Sequence, residues 1–237
     1  MNTKFLKSLA GAVCCIGLLA AAPAYAASPT VLNFYGITNN NSASTADGVA
    51  NLRMEVSDIS DIGGNSVRFK FTNNSNYSSL TDVYFADGAL FGISGVTYSS
   101  GVSFTGGSAA PPDLPGGNSV SPAFQTTAGF LADADSPPTK NGVQNSDATG
   151  EWLVIDFSLK SGKTFADVLA ALALPGSIPT DATPWLRVGL HVQSFTGGFS
   201  ESFINSPIPE PETYAMLLAG LGLVGFAARR RKQGKTA

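Results

Sequence analysis

Alternating apolar and polar residues recur along the chain between positions 31 and 195. A period of two residues is typical of β-strands with one buried face. The clearest alternation occurs in the runs 52–56 and 67–71, which are separated by the turn-like segment Ile62-Gly63-Gly64-Asn65 and predict a hairpin. The positions expected to face the interior are Leu52, Met54, Val56, Val67, Phe69 and Phe71.

Further strands are predicted at 31–37, 81–86, 95–98, 152–159 and 185–195. The last two have strongly apolar faces, formed by Leu153, Ile155, Phe157 and Leu159, and by Leu186, Val188, Leu190 and Val192. The opposite face of 185–195 carries Trp185, Arg187, His191 and Gln193. Such a row is either the solvated outer face of a sheet or the lining of a polar groove that binds a ligand such as a sugar.

One short helix is predicted from Thr164, which caps it with Asp167, to about Leu172, before Pro175-Gly176 ends it. Segments 106–122 and 133–150 are rich in Gly, Pro, Ser, Asn and Asp and are predicted to be loops. The fold class that follows is all-β, with a body that is a two-sheet antiparallel sandwich or jelly-roll-like fold with one short helix.

Charged residues make up 13% of the chain, against about 25% in typical soluble domains, and their distribution is uneven. Residues 27–209 contain seven Lys and Arg and fifteen Asp and Glu, a net charge of −8, whereas both ends of the chain are basic. Nucleic acid binding needs a basic surface, so an acidic body argues against a nucleic acid partner.

The reactive residue types are scarce. Cys14 and Cys15 are the two cysteines and both lie in the first apolar segment, while His191 is the only histidine. A Ser-His-Asp triad would have to use His191, but no G-x-S-x-G motif supplies a serine. We therefore predict no enzymatic activity, no metal site and no cofactor.

Residues 1–26 have the three parts of a secretory signal peptide and predict entry into the Sec export machinery. Lys4 and Lys7 form the basic region, an apolar segment follows, and Ala24-Tyr25-Ala26 is an A-x-A cleavage site. The mature chain is predicted to begin at Ala27.

The C-terminus combines three elements in order: Pro209-Glu210-Pro211, an apolar run over 214–228, and the basic cluster Arg229-Arg230-Arg231-Lys232. As a helix, the apolar run would be roughly 22 Å long, short of a hydrocarbon core of about 30 Å. It predicts a transmembrane-like helix that enters the membrane transiently, with the basic cluster held on the cytoplasmic side.

This arrangement closely resembles the PEP-CTERM sorting signal. The resemblance implies that exosortase, a membrane-embedded protease, recognises Pro209, Glu210 and Pro211 and removes the tail, and that Arg229, Arg230, Arg231 and Lys232 retain the precursor. It also implies an inner-membrane precursor that is passed to the cell surface or extracellular matrix. The expected organisation is a signal peptide at 1–26, a β-rich body at 27–206 and a sorting tail at 207–237.

Two roles for the body remain open, besides that of a secreted hydrolase, which would need a buried cluster of carboxylates in a cleft that nothing in the sequence requires. The first is a structural or interaction protein of the cell surface or biofilm matrix, with exopolysaccharide as a partner. The second is a surface-displayed carbohydrate-binding module that stacks sugars on Trp185, Trp152 or tyrosines.

Overall fold

A computed structural model describes residues 28–60, 64–87, 90–106, 114–126, 130–145, 150–174, 185–208 and 219–221. The strands are β1 Thr30–Leu32, β2 Phe34–Gly36, β3 Leu52–Asp58, β4 Ser66–Asn73, β5 Ser79–Asp87, β6 Phe91–Tyr98, β7 Phe104–Gly106, β8 Leu131–Ala134, β9 Trp152–Leu159, β10 Leu186–Phe195 and β11 Phe199–Asn205. The helices are α1 Ser42–Asn51, α2 Pro138–Asn141 and α3 Phe165–Ala173, with a 3₁₀ turn at Gly117–Ser119.

The strands form two antiparallel sheets that enclose one main apolar core, which confirms the predicted two-sheet architecture. Sheet A has the order β1-β3-β4-β9-β6, and sheet B has the order β2-β11-β10-β5-β8-β7. The predicted inward faces of β3, β4, β9 and β10 are all buried in this core. β3 and β4 pair as a hairpin in the register Asp58↔Val67, while Ile62 and Gly63 of the predicted turn lie outside the described residues.

The run predicted as one strand at 31–37 belongs instead to both sheets. β1 pairs with β3 in sheet A, and after Asn33 the chain continues as β2, which pairs with β11 in sheet B. A period of two residues continues through such a crossing, because the inward face of each short strand still points to the shared core. Leu32 and Phe34, on either side of Asn33, are both buried there.

Three strands were not predicted: β7, β8 and β11. β8 extends into the predicted loop 133–150, which also contains α2, and the 3₁₀ turn lies within the predicted loop 106–122. β7 and β8 have three and four residues, which is too short for a clear alternation.

Helix α3 confirms the predicted helix and its cap. Asp167 Oδ2 accepts a hydrogen bond from the Thr164 backbone amide at 2.7 Å, and the Thr164 hydroxyl accepts one from the Asp167 amide at 3.4 Å. The expectation of only one short helix was wrong, because the described residues also include α1 and α2. The buried face of α1 consists of Ser44 and Gly48, so α1 lacks the apolar stripe by which helices are recognised.

Phenylalanine rings fill the space between the sheets. Phe69, Phe91 and Phe157 of sheet A surround Phe85 of sheet B, with edge-to-face centroid distances of 5.2 Å for Phe69–Phe85 and 4.9 Å for Phe85–Phe157. Such geometries are favoured by the quadrupoles of the rings. A second, smaller cluster lies under segment 114–126 and contains Tyr84, Ala86, Leu114, Phe124, Leu131 and Ile204. This cluster covers part of the outer face of sheet B.

Candidate functional site

The predicted row Trp185, Arg187, His191 and Gln193 lies on the face of β10 opposite the main core, where the structure divides it into two groups. Trp185 and Arg187 lie at one end, beneath segment 114–126. His191 and Gln193 lie at the other end, beside Asp82 of β5.

Arg187 is nearly buried and is held by main-chain oxygens. Its guanidinium donates hydrogen bonds to the Pro122 carbonyl at 2.8 Å and the Ala123 carbonyl at 2.6 Å. The guanidinium carbon lies 5.2 Å from the Phe124 ring centroid and 5.7 Å from that of Trp185. Burial lowers the pKa of Arg187, an effect opposed by the nearby Tyr35. Arg187 thus fastens segment 114–126 to the sheet.

Gly189 separates the two groups, because segment 114–126 packs directly on its backbone. A Cβ atom at this position would lie 2.7 Å from Leu114 Cδ2 and 3.0 Å from Phe124 Cζ. The close approach closes the middle of the row, so the row is not one continuous open groove.

His191 contacts a carboxylate on the neighbouring strand. Its Nδ1 lies 3.0 Å from Asp82 Oδ2, and Gln193 Nε2 lies 3.5 Å from the same nitrogen. The Thr81 hydroxyl donates to Asp82 Oδ2 at 2.7 Å, and its oxygen lies 3.2 Å from the His191 carbonyl oxygen. The side chains of His191 and Asp82 are only 17% and 15% exposed, so this pair is held in a partly desolvated environment.

Asp82 also interacts with Asp133, its cross-strand partner on β8. Burial, the Asp82 charge, a hydrogen bond to Asp82 and the Asp135 charge together raise the pKa of Asp133 to about 6. Burial and the same two carboxylates, Asp82 and Asp133, also raise the pKa of Tyr84. His191, Asp82 and Asp133 thus form a polar row across β10, β5 and β8, here called the acidic row. Sequence alternation placed His191 on this face but identified neither carboxylate.

The acidic row does not complete a triad that a substrate can reach. Ser202 is the β11 partner of His191, but it is 1% exposed and its hydroxyl has no hydrogen-bond partner. A nucleophile must contact the substrate, and a serine buried to this extent cannot. Within the described ranges, no group of three His, Cys, Asp or Glu side chains is placed to hold a metal ion.

A different surface is open to solvent at the end of the sandwich where β4 meets β5. Tyr77 projects between two clefts of about 380 Å³ and about 300 Å³ and lines both of them. The first cleft is bounded by the start of α1 and the β10–β11 turn, and the second by the segment 139–145. The sequence indicated tyrosines as candidate stacking groups without distinguishing Tyr77.

The described body ends in two main-chain contacts. The Ser206 amide donates to the Asn33 carbonyl at 2.8 Å, and the Ile208 amide donates to the Leu172 carbonyl at 3.3 Å. The Ile208 side chain packs against the main core. The segment that follows begins at Pro209.

Residues 207–232 match the PEP-CTERM protein-sorting motif. The chain therefore contains a PEP-CTERM sorting domain. The match covers the Pro-Glu-Pro segment, the apolar run and the basic cluster, and it confirms the resemblance seen in the sequence. No curated protein and no solved structure matches the chain.

The PEP-CTERM domain implies an exported surface protein that has a membrane-associated precursor and is processed by exosortase. Its residues Pro209, Glu210, Pro211, Arg229, Arg230, Arg231 and Lys232 lie outside the described residues, as do Ala24, Ala26 and Ala27 of the predicted signal cleavage site. The predicted helix 214–228 is described only at 219–221. In the part of the chain that the structure covers, no helix has the length and apolar character needed to span a membrane.

Proposed function

We propose that this protein is a structural or interaction protein of the cell surface or extracellular matrix, exported by the Sec machinery and released from its tail by exosortase. The observation that carries the proposal is the PEP-CTERM motif at 207–232, whose second residue, Ile208, makes the last core contact among the described residues of the body. A folded domain followed at once by a sorting signal is the organisation expected of cargo that is delivered and then released.

The features of the body support a binding or structural role over a catalytic one. The sole histidine is paired with Asp82 as in a triad, but the serine opposite it, Ser202, is buried. The net charge of −8 over residues 27–209 disfavours nucleic acid and anionic lipid as partners and is compatible with exopolysaccharide. We propose that the body acts without a cofactor.

The sorting step is tested by replacing Pro209, Glu210 and Pro211 with alanine. We expect the variant to stay in the membrane with its tail attached, because exosortase would no longer recognise the junction. Fractionation and intact-mass analysis distinguish the retained precursor from the released body. Deletion of 229–232 should instead let the precursor pass through the membrane uncut, because the basic cluster no longer holds the helix from the cytoplasmic side.

The matched control is alanine replacement of Gln233, Gly234 and Lys235, which lie beyond the motif match. This variant should be processed like the wild type. If the variant altered at 209–211 is also processed and reaches the surface, the segment is not the sorting signal and the proposed route is wrong.

The matrix role requires a separate test, since correct sorting does not establish it. We expect deletion of the gene to reduce floc or biofilm formation, and the full-length gene to restore it. Normal biofilm in the deletion strain would contradict the matrix role while leaving the sorting route intact.

A second candidate function is a surface-displayed carbohydrate-binding module. The specific observation in its favour is the exposed Tyr77 between two clefts. The row Trp185, Arg187, His191 and Gln193 is a weaker candidate for a ligand face, because segment 114–126 covers its centre.

A further inference from the structure

Tyr77 is the most exposed aromatic side chain of the described residues, at 63%. It lies in the connection between β4 and β5, at one end of the sandwich. Single exposed aromatic residues are common on protein surfaces and alone indicate nothing. Tyr77 differs from an ordinary exposed aromatic residue in two ways. Hydrogen bonds from buried side chains hold its loop, and its side chain lines two clefts.

The loop around Tyr77 is fixed by buried polar groups. Asn73 is buried and its Nδ2 donates to the carbonyls of Ser78 at 3.1 Å and Val143 at 3.3 Å. The buried Ser75 donates through its hydroxyl to Asp47 of α1, and that hydroxyl accepts from the Tyr77 amide at 3.1 Å. The ring is therefore presented on a preorganised support, which lowers the entropy lost when a ligand binds.

The two clefts offer hydrogen-bonding groups on either side of this ring. Hydroxyl and amide side chains line them, among which are Asn41 and Thr196 on one side and Asn76, Gln144 and Asn145 on the other. A rigid tyrosine surrounded by short hydroxyl and amide side chains is a combination that binding surfaces use for amphipathic ligands. Since Tyr77 lines both clefts, a ligand bound in either cleft lies beside this side chain.

The charges that line the clefts indicate whether the ligand is anionic or neutral. Among the described residues that line them, Asp47 is the only carboxylate and there is no lysine or arginine. The body around them has a net charge of −8. An anionic polymer would find no cation here to offset its repulsion from the body, whereas a neutral one meets no such penalty.

The wall of the second cleft contains a residue with an unusual backbone conformation. Ser194, which lines this cleft, has φ of 62°, the single positive value among the described non-glycine residues. Such conformations are strained for residues with a side chain and occur preferentially at ligand sites. Ser194 lies where β10 changes register against β11, so the irregularity shapes the cleft wall.

We propose that Tyr77 and its two clefts bind a neutral polysaccharide chain, with the apolar face of one sugar ring stacked on the tyrosine and its neighbours hydrogen-bonded in the clefts. This inference rests on the proposed surface location for its biological setting, because an exported body is exposed to extracellular polysaccharides.

The test is binding of neutral hexasaccharides (cellohexaose, maltohexaose and N-acetylated chitohexaose) to the full-length chain in a sugar-free detergent, measured by calorimetry. We expect at least one to bind, and Tyr77→Ala to weaken its affinity by about tenfold or more. Tyr77→Phe keeps the ring and should stay within about threefold of the wild type. Tyr98→Ala is the matched control, because Tyr98 is exposed at 40% and lines neither cleft.

Three results would overturn the proposal: no neutral hexasaccharide binds, Tyr77→Ala binds as well as the wild type, or an oligogalacturonate hexamer binds more tightly than every neutral probe. If the variants have equal melting temperatures, a loss of affinity comes from the altered side chain and not from unfolding of the body. Because binding is measured on purified protein, its failure leaves the sorting experiment unaffected, and a failure of sorting leaves the binding result unaffected.

Discussion

The amide of Ile208 donates a hydrogen bond to the carbonyl oxygen of Leu172 at 3.3 Å, and this bond joins the last residue before Pro209 to the end of helix α3. The Ile208 side chain packs against the main core at the same point. The first two residues of the sorting motif, Pro207 and Ile208, therefore belong to the described body, and the segment that exosortase is proposed to recognise follows them directly in the sequence.

Replacing Ile208 with Asp should lower the free energy of unfolding by about 1–2 kcal/mol, because a charge would replace a partly buried apolar contact. Urea denaturation of the two proteins measures the difference. Pro207→Ala is the control and should change stability by less than about 0.5 kcal/mol, since Pro207 is exposed. An unchanged urea midpoint for Ile208→Asp would show that the tail junction is independent of the body.

Glu201 anchors the segment that leads into α1. Its buried carboxylate accepts hydrogen bonds from the Thr38 hydroxyl at 2.6 Å and from the amides of Asn40 at 3.1 Å and Asn41 at 2.7 Å. Glu201→Gln should lower the free energy of unfolding by about 1–3 kcal/mol. The NH₂ group of glutamine would replace a carboxylate oxygen and would face a hydrogen-bond donor from which it cannot accept. Thermal denaturation followed by circular dichroism would measure the loss.

A second glutamate provides the matched control. Glu55 forms an exposed ion pair with Lys70 at 3.7 Å, so Glu55→Gln should change stability by less than about 1 kcal/mol. Equal losses for Glu201→Gln and Glu55→Gln would refute the anchoring role of Glu201.

Sequence periodicity predicted the parts of the fold that face the main core. The inward residues of β3, β4, β9 and β10 were correct, because alternation directly reflects burial on one side of a sheet. Periodicity cannot show when a strand passes from one sheet to the other, as at Asn33, because the inward direction continues. It also missed β11, where Glu201 occupies an inward position and interrupts the apolar pattern.

The sequence predicted the candidate sites less well than it predicted the fold. Alternation correctly put Arg187 and His191 on one face, but segment 114–126 covers that face at Gly189 through contacts remote in sequence. Tyr77 is distinguished by the buried Asn73 and Ser75 that fix its loop, and burial of polar residues in a connection leaves no periodic signal. The sorting domain was recognisable because its signal is a linear motif.

Helix α1 packs so closely on β11 that Gly48 cannot be enlarged without cost. A Cβ atom at Gly48 would lie 2.2 Å from Cζ of the buried Phe203 ring. Gly48→Ala should therefore destabilise the body by about 1–3 kcal/mol, although alanine is the better helix former. The change is measured as the shift in urea midpoint.

Gly95 is the control for this substitution. It lies in β6, and an added Cβ there meets nothing within 4 Å. Gly95→Ala should be neutral or stabilise by up to about 1 kcal/mol through the lower entropy of the unfolded chain. If Gly48→Ala is as well tolerated as Gly95→Ala, the α1–β11 packing is looser than the structure indicates.

The acidic row predicts an unusual dependence of stability on pH. The pKa of Asp133 is raised to about 6, so between about pH 4 and pH 6 the folded protein keeps a proton that the unfolded chain releases. The contribution of Asp133 to stability is therefore present at low pH and is lost as pH rises through this window. Asp133→Asn resembles the protonated form. Its free energy of unfolding should therefore rise above that of the wild type as pH increases through this window and remain higher at pH 7. A shift of two units would correspond to roughly 3 kcal/mol. The residue as a whole is exposed and its carboxylate is only partly desolvated beside Asp82, so solvent screening should reduce the effect to about 1 kcal/mol.

Asp135, two residues further along the chain, should show the opposite behaviour and is the matched control. Hydrogen bonds from Ser103 and Thr105 lower the pKa of Asp135, so the ionised carboxylate stabilises the fold. That contribution is present above the ordinary pKa of about 4 and is lost as pH falls through the lowered value. Asp135→Asn should therefore be less stable than the wild type at pH 7, where Asp133→Asn is more stable. Urea titrations at a series of pH values compare the two variants. If both shift stability in the same direction at pH 7, the raised pKa of Asp133 and its repulsion by Asp82 are not features of the folded protein.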